Sequence, residues 1–442
     1  MGTMSEIAKC PKCGKWLDDT NEATSCVQCG EPLPKVIRGL LPSLVALPPA
    51  SAPSASVTPN RSRLESIDVV RGVIMIIMAL DHTRDYFGIP GQNPTDVANT
   101  TATFFLTRWV THFCAPVFFL LMGTGAYLAG RRRSPGQLSR FLATRGLWLI
   151  FLEVALLRCF AYQFNVDYHV TMLVVLWALG WALITLAALV HLPVVVVTAF
   201  GILMIAGHNL FDSVNSANPL WSILHAPGFV LNTPGHVVFV AYPLIPWMGV
   251  TAVGYSLGQI YGWDTERRRS FLLRLGLALI LAFLVIRGLN TYGDPAPWLR
   301  QKTAEYTVLS FLNTTKYPPS LLFLLMTLGP AMVFLWSVDR GTPRILRPAL
   351  VIGKVPLFFY VLHFLLIHLL AVATCYVRYG SAHWMFESPD IANYPFTAPP
   401  DWGYSLPVFY LVWALVVVAR YPLCWWFAAL KQRRSDAWLS YL

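Results

Sequence analysis

The chain's 442 residues predict an all-α fold, a polytopic bundle of about ten transmembrane helices with a small four-cysteine zinc ribbon at its amino end. Three observations carry that reading. Hydrophobic residues make up 56% of the chain and charged residues 12%, where soluble domains average roughly 25% charged. The mean hydropathy is +0.54. Apolar runs of about 20 residues, enough to cross a bilayer, succeed one another from Arg63 to the carboxy-terminal region.

The first element is residues 1–34. Cys10-Pro-Lys-Cys13-Gly and Cys26-Val-Gln-Cys29-Gly are two Cys-x-x-Cys knuckles separated by 12 residues. Such a pair can place four thiolates tetrahedrally around one zinc, and the glycine after each permits the tight turn this requires. Zinc then supplies folding energy to a piece too small to have a core. The ribbon is assigned no catalysis, and its protein partner is unknown. No cleavable signal peptide precedes it, so the amino terminus is expected in the cytosol. Residues 35–62 form a linker rich in Pro, Ala and Ser, with Pro42, Pro48, Pro49, Pro53 and Pro59.

Residues 63–434 make up the membrane domain. Ten spans are read near 67–87, 103–129, 141–160, 170–191, 193–207, 236–258, 271–288, 318–337, 350–377 and 405–429. Cys114, Cys159, Cys375 and Cys424 are scattered through them as small buried hydrophobes. With the amino terminus inside, 23 of the 33 Lys and Arg fall on the inner side and eight on the outer, with Arg71 and Arg420 within spans. That asymmetry obeys the positive-inside rule with both termini cytoplasmic. The net charge of +11 therefore reports topology, and nucleic-acid binding loses its support.

Ionisable side chains inside a span are costly and are functional candidates by default. The first span holds most of them: Asp68, Arg71, Asp81, His82 and Asp85. Asp68 and Arg71 are three apart, so they share a face and can neutralise each other. Arg71 and His82 are eleven apart, which is three turns plus about 20°, so they face the same way about 16 Å apart along the axis. Asp85 can orient the imidazole from the same face, while Asp81 points elsewhere and reads as a helix-end acid. Glu153 sits mid-span and needs a partner, for which Arg71, His82 and Arg158 are candidates. Arg108 and His112 are four apart at the outer end of the second span, placed either to line the same cavity or to form a structural hydrogen bond. His363 and His368 lie about 140° apart around their helix and read as structural. His208, Asp212, His225 and His236 crowd one outer segment, but their irregular spacing argues against a metal set.

Ile-Asp68-Val-Val-Arg71-Gly72 followed by His82 resembles the first-span signature of acyltransferase family 3 membrane enzymes. Together with Arg108-Trp-Val-Thr-His112-Phe-Cys-Ala-Pro116 through Gly123, it is still more similar to bacterial relatives of the heparan-alpha-glucosaminide N-acetyltransferase family. The likeness covers most of residues 63–377. It implies the transmembrane acyltransferase fold, a bacterial inner membrane location, and movement of an acyl group, acetyl by analogy, from cytosolic acyl-CoA to a glycan or lipid-linked sugar at the outer face. Arg71 and His82 match the Arg and His of the family 3 signature. The lysosomal enzyme has Asn at the position of His82 and its catalytic His in the following loop. Here the loop from Gly88 to Thr103 contains no His, which singles out His82 as the working imidazole.

The resemblance makes Arg71 a holder of coenzyme phosphate, through its planar two-bond fork. His82 becomes either a general base for the acceptor hydroxyl or amine, or the bearer of an acyl-imidazole. The outer loops near 207–235, 288–317 and 378–404 carry Asn, Trp and Tyr suited to a sugar, as an interfacial aromatic belt also would. A transporter or flippase of a polar or lipid-linked solute is the competing class. No repeat between the halves supports it.

Overall fold

A computed structural model describes residues 61–434 together with Asp436 and Leu439. The four-cysteine ribbon and the Pro-rich linker lie outside the described residues. What is described is mostly helical. The helices are α1 (Arg61–Phe87), α2 (Ala102–Thr111), α3 (Cys114–Gly130), α4 (Pro135–Phe151), α5 (Val175–Leu189), α6 (Val194–Gly207), α7 (Pro219–Leu224) and α8 (Leu244–Leu257). They continue as α9 (Thr265–Leu289), α10 (Ala304–Leu312), α11 (Leu321–Val338), α12 (Arg347–Gly353), α13 (Pro356–Tyr379) and α14 (Leu406–Arg433). In lipid every backbone group must be satisfied within its own segment, which favours helices wherever the sequence is apolar for long enough.

Local signals set many of the ends. Ser134, Asp264 and Ser320 cap α4, α9 and α11 with their side chains, and Asn290 and Gly380 close α9 and α13 in the left-handed conformation. Six helical stretches are long and apolar enough to cross a membrane: Ala102–Gly130, Val194–Phe211, Thr265–Leu289, Leu321–Val338, Pro356–Tyr379 and Leu406–Arg433. That makes the chain a multi-pass membrane protein, while the expected count of ten is not established. α1 is 27 residues long but carries five charged groups between Asp68 and Asp85, and α5 and α8 are only 15 and 14 residues long.

Several expected spans differ in detail. The second is broken between Thr111 and Cys114, and the ninth contains the separate helices α12 and α13. The fourth and sixth begin as strands, β1 (Val170–Leu173) and β3 (His236–Val240), which pair in parallel, with β2 (Gly228–Thr233) antiparallel to β3. Short apolar runs read alike as strand and as helix, so periodicity did not separate them. The third span continues past α4 into a π-helical segment, Leu152–Tyr162.

Packing puts α1 at the centre, against α12, α13, α14 and α3. α1 and α12 cross at contact distance: a Cβ at Gly72 would lie 1.7 Å from the Ala349 carbonyl oxygen, and one at Gly353 1.7 Å from that of Asp68. α9 and α14 face outward with Leu281, Leu411 and Val418 exposed, as lipid-facing surfaces are. Cys114, Cys159, Cys375 and Cys424 are buried free thiols.

Candidate active site

The close crossing of α1 and α12 fixes Arg71. Its Nη1 donates to Asp68 Oδ1 at 3.0 Å and to the Gly353 carbonyl at 3.1 Å. Arg71 lines two adjoining cavities. One, of about 400 Å³, also has Arg145, Lys354 and Lys431 on its walls, so four cations meet at this end of the bundle. The other, of about 270 Å³, is apolar, formed by Met75, Met78, Phe118, Leu121 and Leu179, and reaches Tyr360. The two share Arg71, Met122, Gly125 and Leu149. They make a groove with a basic mouth and an apolar body.

Three turns along α1 from Arg71, His82 packs against α13. Its ring centroid lies 4.1 Å from that of Phe364, 5.3 Å from His363 and 6.4 Å, edge-on, from Tyr360. Its Nδ1 is 3.4 Å from Asp85 Oδ2, the partner expected from the three-residue spacing. Tyr360, at the end of the groove, exchanges a 2.9 Å hydrogen bond with the Tyr162 hydroxyl. His363 is fully buried; its Nδ1 lies 3.2 Å from the Phe359 carbonyl, and its Nε2 has no hydrogen-bond partner.

Beyond His82, at the loop end, lies a cleft of about 850 Å³ lined by Arg84, Asp85, Arg108, His112, Lys316 and Tyr317, with Asn313, Asn393 and Tyr394 on the facing loops. Its arginines are paired with carboxylates. Arg108 binds Asp81, Arg84 sits 2.9 Å from Asp81 and 2.7 Å from Asp85. His112 is buried against Phe323 with Nδ1 unpartnered. Burial, reinforced by Glu153 and Asp85, holds the Tyr394 phenol above its ordinary value, so it meets a ligand as a hydroxyl.

The sequence-predicted residues separate into three positions. Arg71 and Asp68 stand at the basic mouth. His82 lines neither the groove nor the cleft but stands between them, touching Tyr360 on one side and Asp85 on the other. Arg108 and His112 both line the cleft, and Asp81, predicted to point away, is the anion that holds Arg108. Glu153 lies apart. None of the three expected cations is its hydrogen-bond partner: its carboxylate accepts the backbone N–H groups of Val174 at 2.7 Å, Leu176 at 2.6 Å and Trp177 at 3.2 Å, at the amino end of α5. A helix amino terminus offsets part of the cost of burying a carboxylate.

Sequence reasoning missed Tyr360 and His363, which come to His82 from a helix about 280 positions later, and Lys354, Arg145 and Lys431, whose charges it read as topology alone. His368 is satisfied by the Ala161 and Met385 carbonyls, as the structural reading requires.

A helical bundle with six stretches able to cross a bilayer defines a multi-pass membrane protein. Residues 63–292, just over half of the chain, match the family described as heparan-alpha-glucosaminide N-acetyltransferase, catalytic, and the chain belongs to that family. Its function is accordingly of the membrane acetyltransferase type. None of the curated proteins compared with it matches.

Proposed function

We propose that this protein transfers an acyl group, acetyl in the simplest case, from acyl-CoA in the groove to a glycan or lipid-linked sugar in the cleft. The observation that carries the reading is the position of His82 between those two cavities. Anionic phosphates suit the mouth formed by Arg71, Arg145, Lys354 and Lys431, where planar guanidinium forks bind them through paired hydrogen bonds. Arg71 and His82 are about 16 Å apart along α1, a separation that an extended phosphopantetheine arm covers through the apolar body toward Tyr360. The cleft offers amides, phenols and paired charges, the polar set that recognises sugar hydroxyls.

Two courses balance. In the first, His82 takes the proton as the acceptor oxygen or nitrogen attacks the thioester carbonyl, the C–S bond breaks, and the thiolate regains a proton to leave as free coenzyme. In the second, His82 itself attacks, the coenzyme leaves, and the acyl-imidazole passes its group to the acceptor. Asp85 orients the ring in both, and the unpartnered Nε2 of His363 beside it can accept or return the proton. All ten helical units cross the bilayer in this reading, with the basic mouth in the cytosol and both termini on that side, as the positive-inside asymmetry supports. The setting that fits is a bacterial inner membrane.

The test is transfer of labelled acetyl from acetyl-CoA in proteoliposomes. His82→Ala should lower turnover by about 10²–10⁴-fold, the range of general acid–base catalysis, while acetyl-CoA binding persists. Near wild-type transfer by an inserted variant refutes the assignment. Solute counterflow without coenzyme consumption would instead establish a transporter.

A further inference from the structure

Away from both cavities, the loop end holds a second group of chemistry-bearing side chains. α6 runs out through a 3₁₀ turn, His208–Phe211, and α7 ends at His225. His208, Asp212 and His225 come together there, with one ligand atom from each within 4.8 Å of the others. His236, their neighbour in sequence, lies elsewhere, its ring 6.1 Å from that of His169.

The three are held as metal ligands are held. His208 and His225 are each only 3% exposed. His208 Nε2 is buried without a hydrogen-bond partner. His225 Nε2 lies 2.8 Å from the His208 carbonyl, and its ring is stacked on Trp221 at 4.7 Å. The His208 carbonyl holds one nitrogen of His225 and so orients that ring, as outer-shell partners orient metal-binding histidines, while the buried Nε2 of His208 is left without a partner. Asp212 accepts from Asn209 Nδ2 at 2.8 Å through Oδ2, while Oδ1 stays 3.9 Å from His225. A buried, unpartnered imidazole nitrogen beside a second imidazole and a carboxylate is costly to leave empty.

We propose that His208, Asp212 and His225 form a binding site for a divalent transition metal of the zinc class. Two imidazoles and one carboxylate are borderline donors that suit zinc, and they leave a fourth tetrahedral position for water. Closing on the ion draws the three ligand atoms inward to about 2.0–2.2 Å from a common centre. The site braces the acceptor side of the molecule. Asn209, next to His208 in the chain and hydrogen-bonded to Asp212, accepts the Leu321 N–H through Oδ1 at 2.9 Å, so the metal steadies the segment whose preceding residues Asn313 to Tyr317 form a wall of the cleft. This inference is independent of the chemistry assigned to His82.

The test uses the full chain in detergent, loaded with cobalt(II) and read by absorption. Cobalt in a nitrogen and oxygen set gives weak visible bands, whereas cobalt bound by the four amino-terminal cysteines adds intense near-ultraviolet thiolate bands, so the two sites are resolved. Wild type should show the nitrogen and oxygen bands in a Cys10→Ser, Cys13→Ser background, and metal content there should approach one equivalent. His208→Gln combined with His225→Gln should abolish that signal. Asp212→Asn, which keeps the side-chain shape should the double variant fail to insert, should weaken binding by at least about tenfold. Absence of the bands from the cysteine-variant protein, or equal metal content with and without the two histidines, overturns the proposal.

Discussion

The groove and the cleft, neither of which His82 lines although it contacts a wall residue of each, are built from different materials. The groove has an apolar body and gathers Arg71, Arg145, Lys354 and Lys431 at its mouth, with Asp68 the carboxylate bound to Arg71. The cleft mixes polar and apolar walls, and two of its cations, Arg84 and Arg108, are already engaged by Asp81 and Asp85. A concentration of positive charge before a narrow apolar channel selects a molecule with an anionic head and a long thin tail. Largely paired charges among amides and phenols, with Lys316 as one further cation, suit a compact molecule with many hydroxyls. Under the proposed function, this asymmetry would distinguish donor from acceptor before any chemistry occurs.

The comparison yields separable kinetics. After loss of His82 itself, the largest effect should come from the groove mouth. Arg71→Ala removes a charge-assisted contact worth about 1.5–3 kcal/mol, so KM for acyl-CoA should rise by about 10–100-fold while KM for the acceptor stays put. Initial rates with each substrate varied in turn would show it, and an equal rise in both values would break the division of labour. Next come the neutral contacts of the cleft. Asn393→Ala, which removes a half-buried loop amide whose Nδ2 donates to Asp390 at 2.9 Å, should raise acceptor KM by a few-fold to about tenfold, the equivalent of one hydrogen bond of roughly 0.5–1.5 kcal/mol. Donor KM should be unchanged. A donor effect as large as the acceptor effect would mean that the cleft and groove are one continuous site.

What could be read from the sequence follows the range of the interactions involved. Arg71, His82 and Asp85 share one helix, so helical spacing alone placed them on one ridge, and the His82–Asp85 contact lies where that spacing puts it. Arg108 and His112 were likewise placed together in the cleft by a four-residue spacing, although the helix breaks at His112. Residues that depend on tertiary crossing were not legible. His363 and Tyr360 reach His82 only because α13 packs along α1, and nothing local to residues 356–379 marks it as the neighbour of residue 82. His208, Asp212 and His225 come together although their spacing with His236 is irregular, because loops impose no period on the side chains they gather. Backbone donors leave no trace in a sequence at all, which is why Glu153 was offered only cations as partners.

Glu153 supplies the smallest effect and the sharpest separation of structure from chemistry. It lies at the start of the π-helical segment, a geometry often associated with functional sites, yet its oxygens face the amino end of α5 and touch neither cavity. Oε2 accepts from Leu176 and Trp177 while Oε1 accepts from Val174. Glu153→Gln keeps one oxygen for two of these donors and turns an amide N–H₂ toward the third, so it weakens the cap without emptying the space. The cost should resemble the loss of a helix cap, about 1 kcal/mol, seen as a modest drop in the midpoint of thermal unfolding in detergent. Turnover per folded molecule and both KM values should match wild type, because the groove, His82 and the cleft keep their walls. A fall in kcat of tenfold or more with an unchanged unfolding midpoint would place Glu153 in the proton path and extend the reactive region beyond the junction of the two cavities.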